Sequence, residues 1–122
     1  MARAANIMRG GFSAGQAKAV NGAIATALTA AGTTISDALD LVADTNVIWT
    51  CASGAGVQLP ATELGDGVEV YNGGANACTV YPDGSTIQIN GLTAGNGFLL
   101  ATNTACYCRK ITSTRWIAFL SA

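Results

Sequence analysis

The sequence predicts an all-β protein with a single β-sandwich or jelly-roll domain of about eight short antiparallel strands, preceded by an extended or partly helical N-terminal arm. The first observation is that residues 46–122 consist of short runs with alternating apolar residues, separated by turn-forming pieces at roughly ten-residue spacing. The second is composition, because 50% of the residues are hydrophobic and 15 are glycine. The third is length, since 122 residues leave room for one domain and an appendage.

The chain divides near residue 45 into an arm, residues 1–45, that we expect to bind a partner, and a β body, residues 46–122, where the alternating runs begin. Charged residues make up only 11% of the chain, which predicts that copies of itself or a partner cover much of its surface. The first 36 residues contain no acid, and neither does the C-terminal stretch; all seven acids lie between. A basic arm suits an acidic partner surface or the body of another copy, unless its charges are simply solvated. The arm's cations are Arg3, Arg9 and Lys18.

The first element of the arm has two readings. Val20, Ile24 and Leu28 recur at four-residue spacing, which predicts a helix over residues 14–31. Gly22 and the threonines that follow favour instead an extended segment that a partner orders. A segment this weakly apolar needs a surface to pack on in either case, so we assign Val20, Ile24 and Leu28 to an oligomer interface.

The next element is the stretch SDALDLV, which predicts a single helical turn leading into the first strand of the body. Its acids Asp37, Asp40 and Asp44 fall on one helical face. Their spacing does not match a known calcium-binding loop and no glycine provides the turn, so no metal site is predicted.

Eight strands are predicted in the body, with the sequences NVIWTC, GVQLP, GVEVYN, ACTVY, STIQIN, GFLLA, TACYCRKI and RWIAFL. NGGAN is predicted to close a tight hairpin, and YPDGS a type I turn. Alternation assigns a common inward-facing set: Val68, Val70, Cys78, Val80, Ile87, Ile89, Cys106, Cys108, Trp116, Ala118 and Leu120. Trp49 and Trp116 are both expected in the core, in phase with their aliphatic neighbours.

Three tyrosines, Tyr71, Tyr81 and Tyr107, fall on the opposite phase and predict an exposed aromatic surface. Tyrosine is enriched at protein interfaces and suits sugar-binding surfaces, because its ring is apolar and its tip is polar. The alternative is that these rings cover a second sheet or an edge.

Catalysis is not predicted, and neither is a cofactor, a metal or a small-molecule substrate. The chain has no histidine, so a serine or cysteine nucleophile lacks its usual general base. The acids Glu63 and Asp66 sit in a loop, where carboxylates most often face solvent. The four cysteines suit a reducing compartment and a core role, although a bridge from Cys51 to Cys106 or Cys108 stays open.

Nucleic acid and membranes are not expected partners. Three dispersed cations in the arm neutralise too few phosphates for firm binding. No secretory signal is recognised, and the uncharged stretch 19–36 is too weakly apolar for a membrane span. A bacterial cell-surface domain, another reading of the β body, would carry an export signal.

The stretch from Ser36 to Leu120 resembles a β-domain widespread in virion proteins of tailed bacteriophages. Its pattern combines G-V-x-L-P, G-x-x-V-x-V-x-N-x-G-A-N, V-Y-P and I-N-G. The matching residues are Gly56, Val57, Leu59, Pro60, Gly67, Val68, Val70, Asn72, Gly74, Ala75, Asn76, Val80, Tyr81, Pro82, Ile89, Asn90 and Gly91. Because these are mostly turn and core positions, the likeness bears on fold more than on role.

The resemblance implies a capsid decoration (cement) protein or head fibre. The expected partners are then the major capsid protein and the chain itself, as a homotrimer on the outer capsid surface of a virion assembled in the cytoplasm of the host bacterium. The arm would lie over neighbouring capsid subunits through Arg3, Ile7, Met8, Arg9, Phe12 and Lys18. The alternative is a head- or tail-fibre module that binds a host receptor or glycan through the outward tyrosines.

Overall fold

The computed structural model describes residues 22–121, which form strands and connecting turns with no helix. Their strands are β1 (Ile24–Thr29), β2 (Leu39–Asp40), β3 (Thr45–Thr50), β4 (Gly56–Gln58), β5 (Gly67–Asn72), β6 (Cys78–Tyr81), β7 (Gln88–Ile89), β8 (Phe98–Leu100), β9 (Thr104–Thr112) and β10 (Arg115–Leu120). The all-β prediction is therefore confirmed for the described part of the chain.

Two sheets share the strands. The six-stranded sheet has the order β1-β3-β5-β9-β10-β7, and the four-stranded sheet has the order β2-β4-β6-β8. From β1 to β6 the chain alternates between the sheets, and successive strands within each sheet are parallel. Ile24 pairs with Thr45, and Thr45 pairs with Glu69, so each winding stacks on the one before it. The result is a β-solenoid-like stack of about four turns.

The predicted antiparallel β-sandwich or jelly roll is wrong. NGGAN does not close a hairpin, because it connects β5 in one sheet to β6 in the other. Antiparallel pairing is confined to β5 with β9, β9 with β10, and β6 with β8 among the described strands. The physical reason for the error is that a period-two apolar pattern fixes which face of a strand is buried, and it does not fix the neighbouring strand.

Of the two conformations considered for the arm, extended and helical, the helical one is wrong where the structure describes it. Residues 24–29, which the helix hypothesis included, form β1 and pair with β3. The single helical turn predicted for SDALDLV is confined to its start, where Ala38 N donates to Thr34 O over 3.1 Å; Leu39–Asp40 within the same stretch form β2. Residues 1–21 lie outside the described part.

The core fills the space between the sheets. Its largest fully buried side chains include Trp116, Ile48, Leu59, Ile89 and Leu100. The predicted inward set is confirmed as buried or packed against the core except at Leu120, which is exposed. The prediction for Trp49 is wrong: buried Ile48 sets the phase of β3, so its neighbour Trp49 points outward with 61% of its surface exposed.

The corner before β2 depends on one carboxylate. Asp37 Oδ1 accepts hydrogen bonds from the backbone amide of Thr34 at 2.8 Å, from its hydroxyl at 2.8 Å and from the amide of Thr33 at 3.0 Å. These bonds, the Thr34 backbone contact first, hold the pKa of Asp37 below its usual value of 3.8. The Asp37 carboxylate thus takes the place of a backbone carbonyl as the acceptor for the Thr33 and Thr34 amides.

Candidate functional site: the aromatic face of the six-stranded sheet

The outer face of the six-stranded sheet carries exposed aromatic side chains. Trp49 on β3, Tyr107 on β9 and Phe119 on β10 are exposed, and Tyr71 on β5 is half-buried between them. Trp49 and Tyr71 lie 6.4 Å apart between ring centroids, and Tyr107 and Phe119 lie 6.5 Å apart and stacked. We call the surface formed by Trp49, Tyr71, Tyr107 and Phe119 the aromatic face. Such a patch is typical of an interaction surface.

Two glycines let the rings lie flat on the sheet. A Cβ on Gly67 would come within 2.6 Å of Tyr107 Cε1, and one on Gly73 within 2.6 Å of Trp49 Cζ3. Gly67 begins β5 and Gly73 follows its last residue, so the two rings rest on opposite ends of this strand. The absence of side chains at these glycines shapes the aromatic face.

A carboxylate lies between the two aromatic pairs. Glu69 occupies the middle of β5, directly across from Thr45 on one side and Tyr107 on the other. Thr45 Oγ1 donates a 2.8 Å hydrogen bond to Glu69 Oε1. Around it is an open hollow of about 340 Å³ whose walls include Tyr71, Tyr107 and Phe119. In residues 22–121 the only ion pair joins Lys110 to Asp83, so within that range Glu69 has no cationic partner.

This arrangement is suited to binding. Aromatic rings beside a carboxylate attract a basic side chain through cation–π and charge interactions, and rings also stack on sugars. Groups of three or more metal-ligating side chains are not found in the described part of the chain.

A second, larger groove, about 500 Å³, lies by the four-stranded sheet and reaches Asp40, Gln58 and Asp83. Both carboxylate oxygens of Asp83 already accept hydrogen bonds from the protein. Lys110 Nζ lies 2.7 Å from Asp83 Oδ2, and Trp116 Nε1 donates to Asp83 Oδ1 over 3.0 Å. The Lys110 ammonium also lies 5.7 Å from the centroid of the Trp116 ring. Because Lys110 and Asp83 are almost fully buried and paired with each other, we assign the group of Lys110, Asp83 and Trp116 a structural role.

The structure separates the three predicted tyrosines. Tyr71 and Tyr107 belong to the aromatic face, whereas Tyr81 lies on the four-stranded sheet and donates from its hydroxyl to Thr33 O over 3.1 Å. Trp49, Phe119 and Glu69 were not predicted as site residues. The sequence did indicate that Glu69 faces outward, since it alternates with the inward-facing Val68 and Val70.

The other predicted site residues fall at or beyond the edge of the described part. Ile24 and Leu28 lie on β1, with Ile24 71% exposed and Leu28 packed against the core. Val20 and the six arm residues lie outside the described residues; they are Arg3, Ile7, Met8, Arg9, Phe12 and Lys18.

All four cysteines are buried free thiols within the core. Cys106 and Cys108 point to the same side of β9, with their sulfurs 3.8 Å apart. The hydrogen bond to Cys106, together with burial, raises the pKa of the Cys108 thiol. Burial foremost raises the pKa of Cys78 to about 12. These sulfurs act as small core side chains.

Comparisons of this chain with protein-family models, curated proteins and solved structures give no match. Within residues 22–121, no helix has the length and apolar character needed to cross a membrane. Function is therefore argued from the aromatic face, the charge distribution and the residue pattern of the chain.

Proposed function

We propose that this protein is a structural virion protein, a capsid decoration (cement) protein that binds the outside of a tailed-phage head as a homotrimer and stabilises the shell. The observation that carries the proposal is the aromatic face, a broad apolar surface on a rigid body. The resemblance of residues 36–120 to virion β-domains supports the choice of a phage shell. The proposed site of action is the outer capsid surface, after assembly in the host cytoplasm.

The aromatic face favours association because it leaves large side chains in water. Trp49 is 61% exposed and Phe119 59% exposed, and both lie on strands of the same sheet. Covering such side chains stabilises a complex by roughly 25 cal/mol for each Å² of apolar surface removed from water. A contact on the order of 1,000 Å² is weak by itself, but many copies on one shell add their effects.

The arm supplies a second contact in this proposal. Its partner is the major capsid protein, over whose neighbouring subunits the arm lies. Arg3, Arg9 and Lys18 match an acidic surface, and Ile7, Met8 and Phe12 insert as apolar side chains. The absence of acids from the first 36 residues supports this role, because no negative charge in that part of the arm opposes an acidic partner.

The proposal is tested by co-sedimentation of the purified protein with heads from which it has been removed. Trp49→Ser, on the part of the aromatic face outside the hollow around Glu69, is expected to weaken head binding at least about tenfold. Leu99→Ser is the matched control, because Leu99 is also an exposed strand residue but lies on the four-stranded sheet. No binding of the wild-type protein to heads, or equal binding of the two variants, would contradict the proposal.

The hollow around Glu69 favours one alternative, a head- or tail-fibre module that binds a host receptor or glycan. Tyr71 and Tyr107 would stack on a sugar ring while Glu69 accepts its hydroxyl hydrogen bonds. A glycan array would then give hits that Tyr107→Ala removes. Tyr81→Ala, on the other sheet, would leave them unchanged, and an array without hits would exclude this alternative.

A further inference from the structure

We infer that the hollow around Glu69 binds the Lys18 side chain of a second copy of this chain, so that each copy of the proposed trimer holds its neighbour's arm. This contact replaces the capsid contact proposed for Lys18, and Arg3 and Arg9 keep theirs. This inference rests on the proposed function, because it specifies the contact that makes the homotrimer. The binding chemistry itself comes from Glu69 and the rings beside it.

The hollow is chemically matched to an ammonium group. Thr45 holds Glu69 Oε1 in place, and Glu69 Oε2 accepts no hydrogen bond from the described residues. Tyr71 and Tyr107 flank the carboxylate along the sheet, so a cation at Oε2 also meets aromatic rings. Glu69 is exposed in the open hollow, so the ion pair alone is weak and the contact depends on the adjoining aromatic rings as well.

The position of the arm makes Lys18 the matching cation. The described chain begins at Gly22, and the carbonyl of Ala23 accepts a 3.0 Å hydrogen bond from the amide of Thr45, which lines the hollow. The arm therefore joins the body at the same end of the sheet as the hollow. Lys18 is the last cation before β1, and no acid occurs in the first 36 residues to compete for it.

Exposed apolar side chains near the hollow favour an arm from a second copy over the chain's own arm. Ile24 is 71% exposed on β1, and Leu120 is 59% exposed beside the hollow. We assign the arm in the hollow to a neighbouring copy because a contact between copies also removes these exposed side chains from water. The contact joins two different surfaces, the arrangement that closes into a threefold ring.

The first test uses charge reversal in the full-length protein, without phage heads. Glu69→Lys and Lys18→Glu are each expected to weaken trimer formation at least about tenfold by analytical ultracentrifugation, and the double variant is expected to restore it. Glu63→Lys is the matched control, since Glu63 is exposed in a loop and the charge change is the same. An unchanged trimer in Glu69→Lys, or no recovery in the double variant, would overturn the inference.

The second test establishes which copy supplies the arm. Benzoylphenylalanine is placed at Tyr107, and nitrogen-14 and nitrogen-15 proteins are mixed before irradiation. Cross-links to residues 1–21 that join the two isotopes are the expected result. Cross-links only within one isotope, or none to this segment, would overturn the inference. Head binding is measured separately, so a trimer that ignores heads would refute the proposed function while leaving this contact intact.

Discussion

The buried pair of Lys110 and Asp83 gives the sharpest prediction about stability. Lys110→Met removes the ammonium and keeps much of the apolar stem, so Asp83 retains only the hydrogen bond from Trp116 Nε1. The Asp83 side chain is only 7% exposed, so water replaces the lost ammonium group poorly. A buried charge without its partner destabilises the folded state strongly.

The expected loss in the free energy of unfolding is about 3–5 kcal/mol, against a total of about 5–15 kcal/mol for a domain of this kind. The melting temperature should fall by roughly 10–20 °C. Adding Asp83→Asn to Lys110→Met removes the unpaired charge and keeps an acceptor for Trp116, so it should recover about 2 kcal/mol.

Urea unfolding followed by circular dichroism measures the wild type, Lys110→Met, Asp83→Asn and the double variant on one scale. These four proteins complete a cycle that isolates the coupling between the charges. A loss below about 1 kcal/mol in Lys110→Met would refute the reasoning, because that is the value of a solvent-exposed pair.

Three further predictions concern the core, the thiols and the corner before β2. Leu59→Ala should cost about 2–5 kcal/mol in urea unfolding, and Leu64→Ala at an exposed position less than about 0.5 kcal/mol; equal losses would contradict the core assignment. Burial raises the pKa of Cys78 to about 12 from 9.0, so the folded state keeps a proton that the unfolded state releases. Stability should therefore fall as the pH rises through this interval, and a urea midpoint equal at about pH 8 and about pH 10.5 would argue against it. The Thr34 bonds lower the pKa of Asp37 below 3.8, so its contribution is present above that value and lost as the pH falls. Asp37→Ala should lower the melting temperature at about pH 6 and have little effect at about pH 2; an equal effect at both would rule out the charged carboxylate as the cause.

Strand faces were predictable where apolar residues alternate without interruption. Val68 and Val70 in β5 identify the buried face, and the outward position of Tyr71 follows. The buried face of β3 is harder to predict because its first buried residue is polar: Asn46, whose amide donates to Ala43 O over 2.9 Å. The sequence pattern therefore places Trp49 in the core, and the largest side chain of the aromatic face is not predicted to be exposed.

Parallel stacking was not predictable from these patterns. A parallel pair usually needs a crossover of a dozen or more residues, often a helix, and no such helix pattern separates β3, β4 and β5. Here the crossover is a strand in the other sheet, reached through short turns such as NGGAN. Those turns have the same composition as hairpin turns, so composition cannot tell the two connections apart.

The strand edges explain why a face, not an edge, is the surface for association. β1 pairs with β3 through register shifts and contains Ala27 at a φ of 56°, which breaks the regular row of backbone groups at its open side. β7, at the other end of the same sheet, is only two residues long. Pairing between copies along these two edges is therefore disfavoured, which leaves the aromatic face as the candidate surface on this sheet.

The proposed trimer cannot form by pairing one face with itself, because that contact is twofold, so in it the aromatic face contacts a different surface of its neighbour. The segment before β1 contains no acid, and Ala23, at its described end, bonds to Thr45 at the hollow. The proposed contact of this segment with Glu69 is therefore the step to test first.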